Sequence, residues 1–257
     1  MARSQFNVKL IPVEIEKIKK EALREGEEAD DTWDDSITKF MAFGETQYER
    51  IMHIDSDVTV LRNLDDLFLL PKAAVAMPRA YWSENNPLPL TSLVVVLEPS
   101  VSEFRALINT TREMQPQDGR PKYDMDILND RYANSAMVLP HQPFLLTGEF
   151  RRSGHTQYFG NSYQEWDPDA ALAQAKLVHF SDWPLPKPWV MWPFEGVKQM
   201  RPRCKFNPGT QHESGCRDRE IWLQLYDDFR KRRKDICKLL SVPAPDWPPK
   251  GVNMTVE

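Results

Sequence analysis

Tyr48-Glu-Arg-Ile-Met-His-Ile-Asp55-Ser-Asp57-Val-Thr-Val60 is the stretch on which the fold turns. An amphipathic helix is expected to deliver the chain into a short apolar strand, Ile51–Ile54, and that strand stops on two aspartates. Residues two apart in an extended chain point the same way, about 6.6 Å apart at Cα. The carboxylates of Asp55 and Asp57 can therefore converge beyond the strand end, which is where ligands sit in open α/β sheets. Two carboxylates there suit a hard divalent cation, bound directly or through water. Such a cation can bridge to a diphosphate and offset charge as a nucleotide departs.

Working outward, the segments on either side alternate between helix and strand. Residues 6–19 read as a strand, a turn at Pro12 and a helix start, and Glu21–Asp35 reads as a solvated acidic loop. Ser36–Glu49 has helical character, with Ile37, Phe40, Met41 and Phe43 on one side and Ser36 or Asp35 as cap. Downstream, Asn63–Phe68 reads as a short helix, Ala73–Met77 as a strand, and Leu93–Leu97 as a continuous apolar run of the buried parallel kind. Helices are expected over Pro99–Glu113 and Asp124–Tyr132, and strands over Met137–Leu139 and Leu177–Phe180. This alternation indicates an α/β sheet. Ten of the 21 prolines fall from Pro184 onward, so extended loops are expected there, interrupted by one long helix, Asp218–Leu240, and ending in a poorly ordered tail, Pro243–Glu257. The Ile221, Trp222, Leu225 and Phe229 stripe of that helix reads as its packed face, and Arg230–Lys234 as a solvated basic run or, alternatively, one that touches anionic lipid or acidic glycans.

Composition narrows the function classes. The net charge of −5 argues against a protein built to neutralise nucleic-acid phosphates, so no nucleic-acid partner is expected. The 41% of hydrophobic residues excludes wholesale disorder. Cys204, Cys216 and Cys237 form no CxxC pair, which argues against a zinc cluster; a Cys204–Cys216 bridge and three free thiols both stay open. The D-x-D string occurs three times, at Asp55–Asp57, Asp124–Asp126 and Asp167–Asp169. Only the first follows an apolar strand, and Asp167-Pro-Asp169 reads as a helix cap.

Two enzyme classes use that context. Asp55-Ser-Asp57-Val-Thr-Val60 resembles the opening motif of haloacid-dehalogenase-like phosphatases, in which Asp55 would be the nucleophile and Asp57 an acid/base. The later acidic pair of that class has no convincing counterpart here. The other class matches more of the chain. Ser36–Phe43, Tyr48–Asp57, Asn63–Phe68, Thr91–Ser100, Tyr123–Asn129 and His179–Trp189, six blocks in order, resemble glycosyltransferase family 8, the glycogenin-like family, over roughly residues 6–240. His179–Trp189, with Leu139–Phe144 and Thr147–Phe150, looks most like its fungal N-acetylglucosaminyltransferase branch.

The resemblance implies a GT-A (Rossmann-like) mixed sheet with flanking helices and a retaining, Mn²⁺-dependent transfer from a UDP-sugar, N-acetylglucosamine by expectation, to a glycan or glycoprotein acceptor. Asp55, Asp57 and His179 match the metal ligands. Lys39, Ser56, Thr91, Asp182 and Lys187 match donor-binding positions together with the two aspartates, and Asp124 and Asp126 match the catalytic, sugar-binding stretch. Three departures retune the donor pocket: Thr91-Ser92-Leu93 replaces an Asn-Ser-Gly, Met125 stands where an amide is usual, and His179 and Lys187 are eight residues apart. The resemblance further implies that the family's opening βαβ unit, which carries the base pocket, is missing. The expected organisation is a truncated transferase core over 1–190 and a C-terminal extension over 191–257. A non-catalytic relative is the third reading. A Golgi-lumenal setting, with a membrane anchor only in an upstream segment, is implied too, and the sequons at Asn109 and Asn253 accord with it.

Overall fold

The computed structural model describes residues 8–12, 36–113, 122–207 and 212–248. The strand, turn and helix read over 6–19 fall mostly outside these residues. The acidic stretch 21–35, the Asp35 cap, Asn253 and the tail beyond 248 lie outside altogether. Among the described residues the strands are β1 (Ile51–Ile54), β2 (Val58–Val60), β3 (Val75–Pro78), β4 (Val94–Leu97), β5 (Met137–Leu139), β6 (Phe144–Leu146), β7 (Leu177–His179), β8 (Lys205–Asn207) and β9 (His212–Ser214). The α-helices are α1 (Val101–Glu113), α2 (Asp124–Tyr132), α3 (Thr156–Phe159), α4 (Pro168–Gln174), α5 (Phe194–Met200) and α6 (Arg217–Cys237). Contacts divide the chain into two compact units, one of Leu10–Asp55 and Asn63–His141, the other of Met1–Lys9, Ser56–Arg62 and Gln142–Glu257. The expected α/β class, a mixed sheet with flanking helices, is what the chain adopts.

In the first unit the sheet order is β1-β4-β3-β5. Strand β4 pairs antiparallel with both β1 and β3, and β3 pairs parallel with β5. The parallel reading of Leu93–Leu97 is therefore corrected. A continuous apolar run reports burial on both faces, and β4 is buried at every position, but it says nothing about strand direction. Val95 and Leu97 of β4 join a core with Ile37, Phe40, Phe43, Leu107, Ile127 and Leu128. The helix read over Ser36–Glu49 is a 3₁₀ helix, Ser36–Gly44. Its buried residues, Ile37, Phe40 and Phe43, recur every third position, which matches three residues per turn and lines them along one edge.

In the second unit β7 is central, antiparallel to β2 and parallel to β6. Helix α6 buries Ile221, Trp222, Leu225 and Tyr226 and ends where Lys238 takes a left-handed backbone (φ 58°). The ring of Phe180 meets Tyr226 and Phe229 at 4.6 and 5.2 Å between centroids. The proline-rich stretch holds more structure than loops and one helix: α5 and the β8–β9 hairpin lie in it, and the Cys204–Cys216 disulfide closes the hairpin's base. Asp167 caps α4 as read, accepting from the Asp169 and Ala170 N–H groups.

Candidate functional site

Strand β1 ends at Ile54, and the next N–H, that of Asp55, still donates to Leu93 O at 3.2 Å. Asp55 is thereby fixed at the strand's carboxyl end, where Lys39 from the 3₁₀ helix donates to its Oδ1 at 3.0 Å. The same ammonium lies 2.6 Å from Asp124 Oδ2 and 3.2 Å from Ser92 Oγ, and the Ser92 hydroxyl donates to Asp124. Asp124 occupies the first turn of α2, where the helix dipole favours a carboxylate. Burial alone would raise its pKa, but Lys39 and the hydrogen bonds around it hold it below the usual carboxylate range. Burial works against Lys39 too, yet Asp124 and Asp55 raise its pKa, so Lys39 stays charged beside the ionised Asp124. His53, on β1, is pushed down to about 4 by burial and then by the charge of Lys39, and it stays neutral at pH 7.

The second cluster belongs wholly to the other unit. Pairing of β2 with β7 sets His179 opposite Val58, and the Phe180 N–H donates to Asp57 O at 2.9 Å. The His179 imidazole thus comes beside the Asp57 side chain, its Nε2 3.2 Å from Oδ2. Lys187 donates to the same oxygen at 2.5 Å. Burial opposes ionisation of Asp57, but His179 and Lys187 together hold its carboxyl well below the usual range. The other ring nitrogen of His179, Nδ1, is buried without a hydrogen-bond partner.

The remaining positions read from sequence fall elsewhere. Ser56 is exposed, and Thr91 is buried with its N–H bonded to Pro78 O at 2.9 Å. Asp126 turns back to accept from the Tyr123 N–H at 2.9 Å, closing the start of α2. Asp182 is fully buried: its Oδ2 accepts from Trp222 Nε1 and Tyr226 OH, each at 2.8 Å, and its Oδ1 from Arg151 at 3.3 Å. Ser92 was named in sequence only within Thr91-Ser92-Leu93 and given no role of its own; its signal was a small hydroxyl residue heading an otherwise apolar run. The buried Glu149, bonded by His155 at 2.7 Å with Trp166 stacked on that imidazole, was also missed. Asp55, the nucleophile of the phosphatase reading, is engaged by Lys39.

No family model matches the chain. Curated relatives do. A protein of Aspergillus fumigatus named glucose N-acetyltransferase 1 is 50% identical over 250 residues, covering 94% of this chain and 64% of the relative. Its namesake in Gibberella zeae is 41% identical, covering 96% of this chain and 52% of the relative. A glycogenin of Neurospora crassa is 28% identical over 155 residues, covering 60% of this chain and 20% of the relative. The chain thus spans between half and two thirds of the length of the first two. Among solved structures, the apo glycosyltransferase GlyE of Streptococcus pneumoniae aligns over 77% of this chain and 43% of its own, with 18% identity and a TM-score of 0.46. The similarity to the glucose N-acetyltransferase 1 proteins and to a glycogenin fits the resemblance to glycosyltransferase family 8 read from the motifs.

Proposed function

We propose that this chain carries out transfer of N-acetylglucosamine from a UDP-sugar to a glycan acceptor, with retention at the anomeric carbon and dependence on Mn²⁺. The observation that carries the reading is the Asp57 carboxylate, flanked on one oxygen by an imidazole and an ammonium, with a second aspartate two residues upstream. Asp55, Asp57 and His179 would hold the ion. A mixed carboxylate and imidazole donor set suits Mn²⁺, and the partnerless Nδ1 of His179 fits a side chain arranged for something other than packing. When bound, the ion supplies a Lewis acid for the diphosphate.

The chain's own residues do the rest. Lys187 can shift its charge from Asp57 to a diphosphate oxygen as the leaving group's charge grows. Asp124, oriented by Lys39 and Ser92, is the carboxylate suited to a sugar hydroxyl, since the Asp126 carboxylate is engaged in capping α2. The relatives' name joins glucose to an N-acetyl group, which supports the choice of sugar. A Golgi-lumenal setting is part of the proposal, supported by the Cys204–Cys216 disulfide, since such bridges persist in oxidising compartments.

The test is UDP release from UDP-N-acetylglucosamine by the chain. EDTA should abolish turnover, Mn²⁺ should restore it, and Asp57→Asn should lose it by at least about 100-fold, a loss typical of removing a preorganised charge. Turnover that ignores EDTA, or an undiminished Asp57→Asn, overturns the reading.

A further inference from the structure

The loop between the two groups that meet on Asp57 holds one large side chain that neither the fold nor the transfer uses. It runs from His179 to Lys187, and both ends reach the same carboxylate oxygen of Asp57, at 3.2 and 2.5 Å. The residues between them are tied down. Phe180 is buried against Tyr226 and Phe229. The Ser181 N–H donates to Thr147 Oγ1 at 3.0 Å, and the Ser181 hydroxyl accepts from the Gly148 N–H at 3.1 Å. Asp182 is buried under its three donors, and the N–H of the buried Leu185 donates to the Asp182 carbonyl at 2.7 Å. Trp183 sits at the midpoint with its own N–H bonded to Ser181 O at 2.9 Å, yet its side chain is 60% exposed. From 177 to 190 it is the one exposed residue.

Other tryptophans of the same unit are engaged. Trp166 lies on the His155 imidazole, Trp192 on Trp222, and Trp247 donates to Gln199. An indole carries the largest apolar surface of any side chain, and packing normally claims it. A braced backbone that holds one in water presents a flat face already in position, so little freedom is lost when a ring stacks on it. The C–H bonds on one side of a pyranose carry slight positive charge and complement the negative face of an indole. Trp183 is four residues from His179 and four from Lys187, so its Cα lies within about 14 Å of each. A few sugar rings span that length. A donor sugar arrives joined to its diphosphate, whereas a face open to solvent suits the reactant that comes and goes separately.

Resting on the transfer reaction proposed above, we infer that Trp183 is the platform on which a ring of the acceptor glycan stacks, so that it sets acceptor specificity and does not hold the donor. The test uses the full chain with UDP-N-acetylglucosamine and Mn²⁺, and mannose-, glucose- and galactose-terminated disaccharides as acceptor probes. The same disaccharides are titrated without donor against tryptophan emission. At least one should shift the wild-type emission, and Trp183→Phe, which keeps an aromatic face but removes this indole, should lose the shift. Trp183→Ala should raise the KM of that disaccharide about five- to tenfold, with kcat and the donor KM within about twofold. Trp183→Phe should bring the acceptor KM back to within about threefold of wild type, and circular dichroism should show both variants folded. An emission shift with none of the probes, a shift that persists in Trp183→Phe, an unchanged acceptor KM in Trp183→Ala, or a rise in the donor KM instead overturns the inference. A disaccharide that shifts Trp183 emission in a chain releasing no UDP supports the platform and overturns the transfer reading, so the two failures are read apart.

Discussion

Replacing Asp182 by alanine tests whether this aspartate, matched by resemblance to a donor-binding position, holds the fold instead. Its side chain is inaccessible to solvent and takes three donors, two of them, Trp222 and Tyr226, buried on α6. Burial, and then the Asp182 charge, raise the Tyr226 pKa well above its ordinary value, so that hydroxyl remains a donor at any working pH. Truncation leaves both donors stranded at roughly 1.5 kcal/mol each, about 3 kcal/mol in all. Arg151, 28% exposed at its side chain, turns to water at small cost. Asp182→Asn keeps an acceptor oxygen for the two α6 donors and loses mainly the Arg151 charge, about 1 kcal/mol. Six of the eight tryptophans lie in the unit that holds Asp182, so urea unfolding followed by tryptophan fluorescence reads that unit. With an m-value of about 2 kcal/mol/M, the midpoint should fall by about 1.5 M for alanine and about 0.5 M for asparagine. A midpoint for Asp182→Ala within about 0.3 M of wild type, with KM for UDP-sugar raised instead, would refute the structural role and restore the donor-binding one.

Lys39→Met leaves the buried Asp124 without its cation and should cost about 3–5 kcal/mol by thermal unfolding, much of it recovered when Asp124→Asn is added. Because Asp124 titrates below the ordinary carboxylate range when folded, its stabilisation is full above that range and is lost as pH falls through the folded pKa; circular dichroism against pH should show a steep acid limb in wild type and a flatter one in the double variant. Cys204→Ser with Cys216→Ser opens a loop with a sequence separation of 12 and should cost about 3 kcal/mol by loop entropy, matched by dithiothreitol on the wild type in a thermal-shift assay. Gly196→Ala drives a methyl to 2.9 Å from the Trp247 ring and 3.0 Å from Pro193, so it should cost about 1–3 kcal/mol and blue-shift or quench Trp247 emission. Lys187→Met should tighten Mn²⁺ binding by calorimetry about tenfold, since a competing cation leaves Asp57, while lowering turnover.

Local pattern was enough for β1, α2 and β5, whose bounds match the reading residue for residue, because each is closed by its own punctuation: aspartates after Ile54, a capping box at Tyr123, a proline after Leu139. It was not enough for β2. Val58–Val60 follows Asp57 without a turn residue, and its partner β7 lies over a hundred residues away, so nothing local marks it as a separate strand. Proline density misled for a related reason. Pro193 caps α5 rather than interrupting it, and a proline at a helix start is as regular as one in a loop. D-x-D at 124–126 could not say which carboxylate turns inward, since residues two apart on a helix face different ways. Only the fold separates Asp124, bonded to Lys39, from Asp126, which closes the helix start.

The two aspartates of the first D-x-D are each neutralised by a lysine of their own unit: Asp55 by Lys39, sixteen residues before it, and Asp57 by Lys187, 130 residues beyond it. Two like charges two residues apart, one of them buried, would oppose folding unless each had a counter-ion. Lysines in that role let the polypeptide fold before any divalent cation arrives. In the proposed reaction a divalent cation held by Asp57 would compete with the Lys187 ammonium already on that carboxylate. A Lys187 released from Asp57 would keep its charge and its tether, and in the proposed reaction a diphosphate oxygen is the anion it would meet. Under the proposed function, holding Asp57 ionised and then meeting the leaving group would be successive uses of one ammonium, which is why methionine at this position should separate metal affinity from turnover.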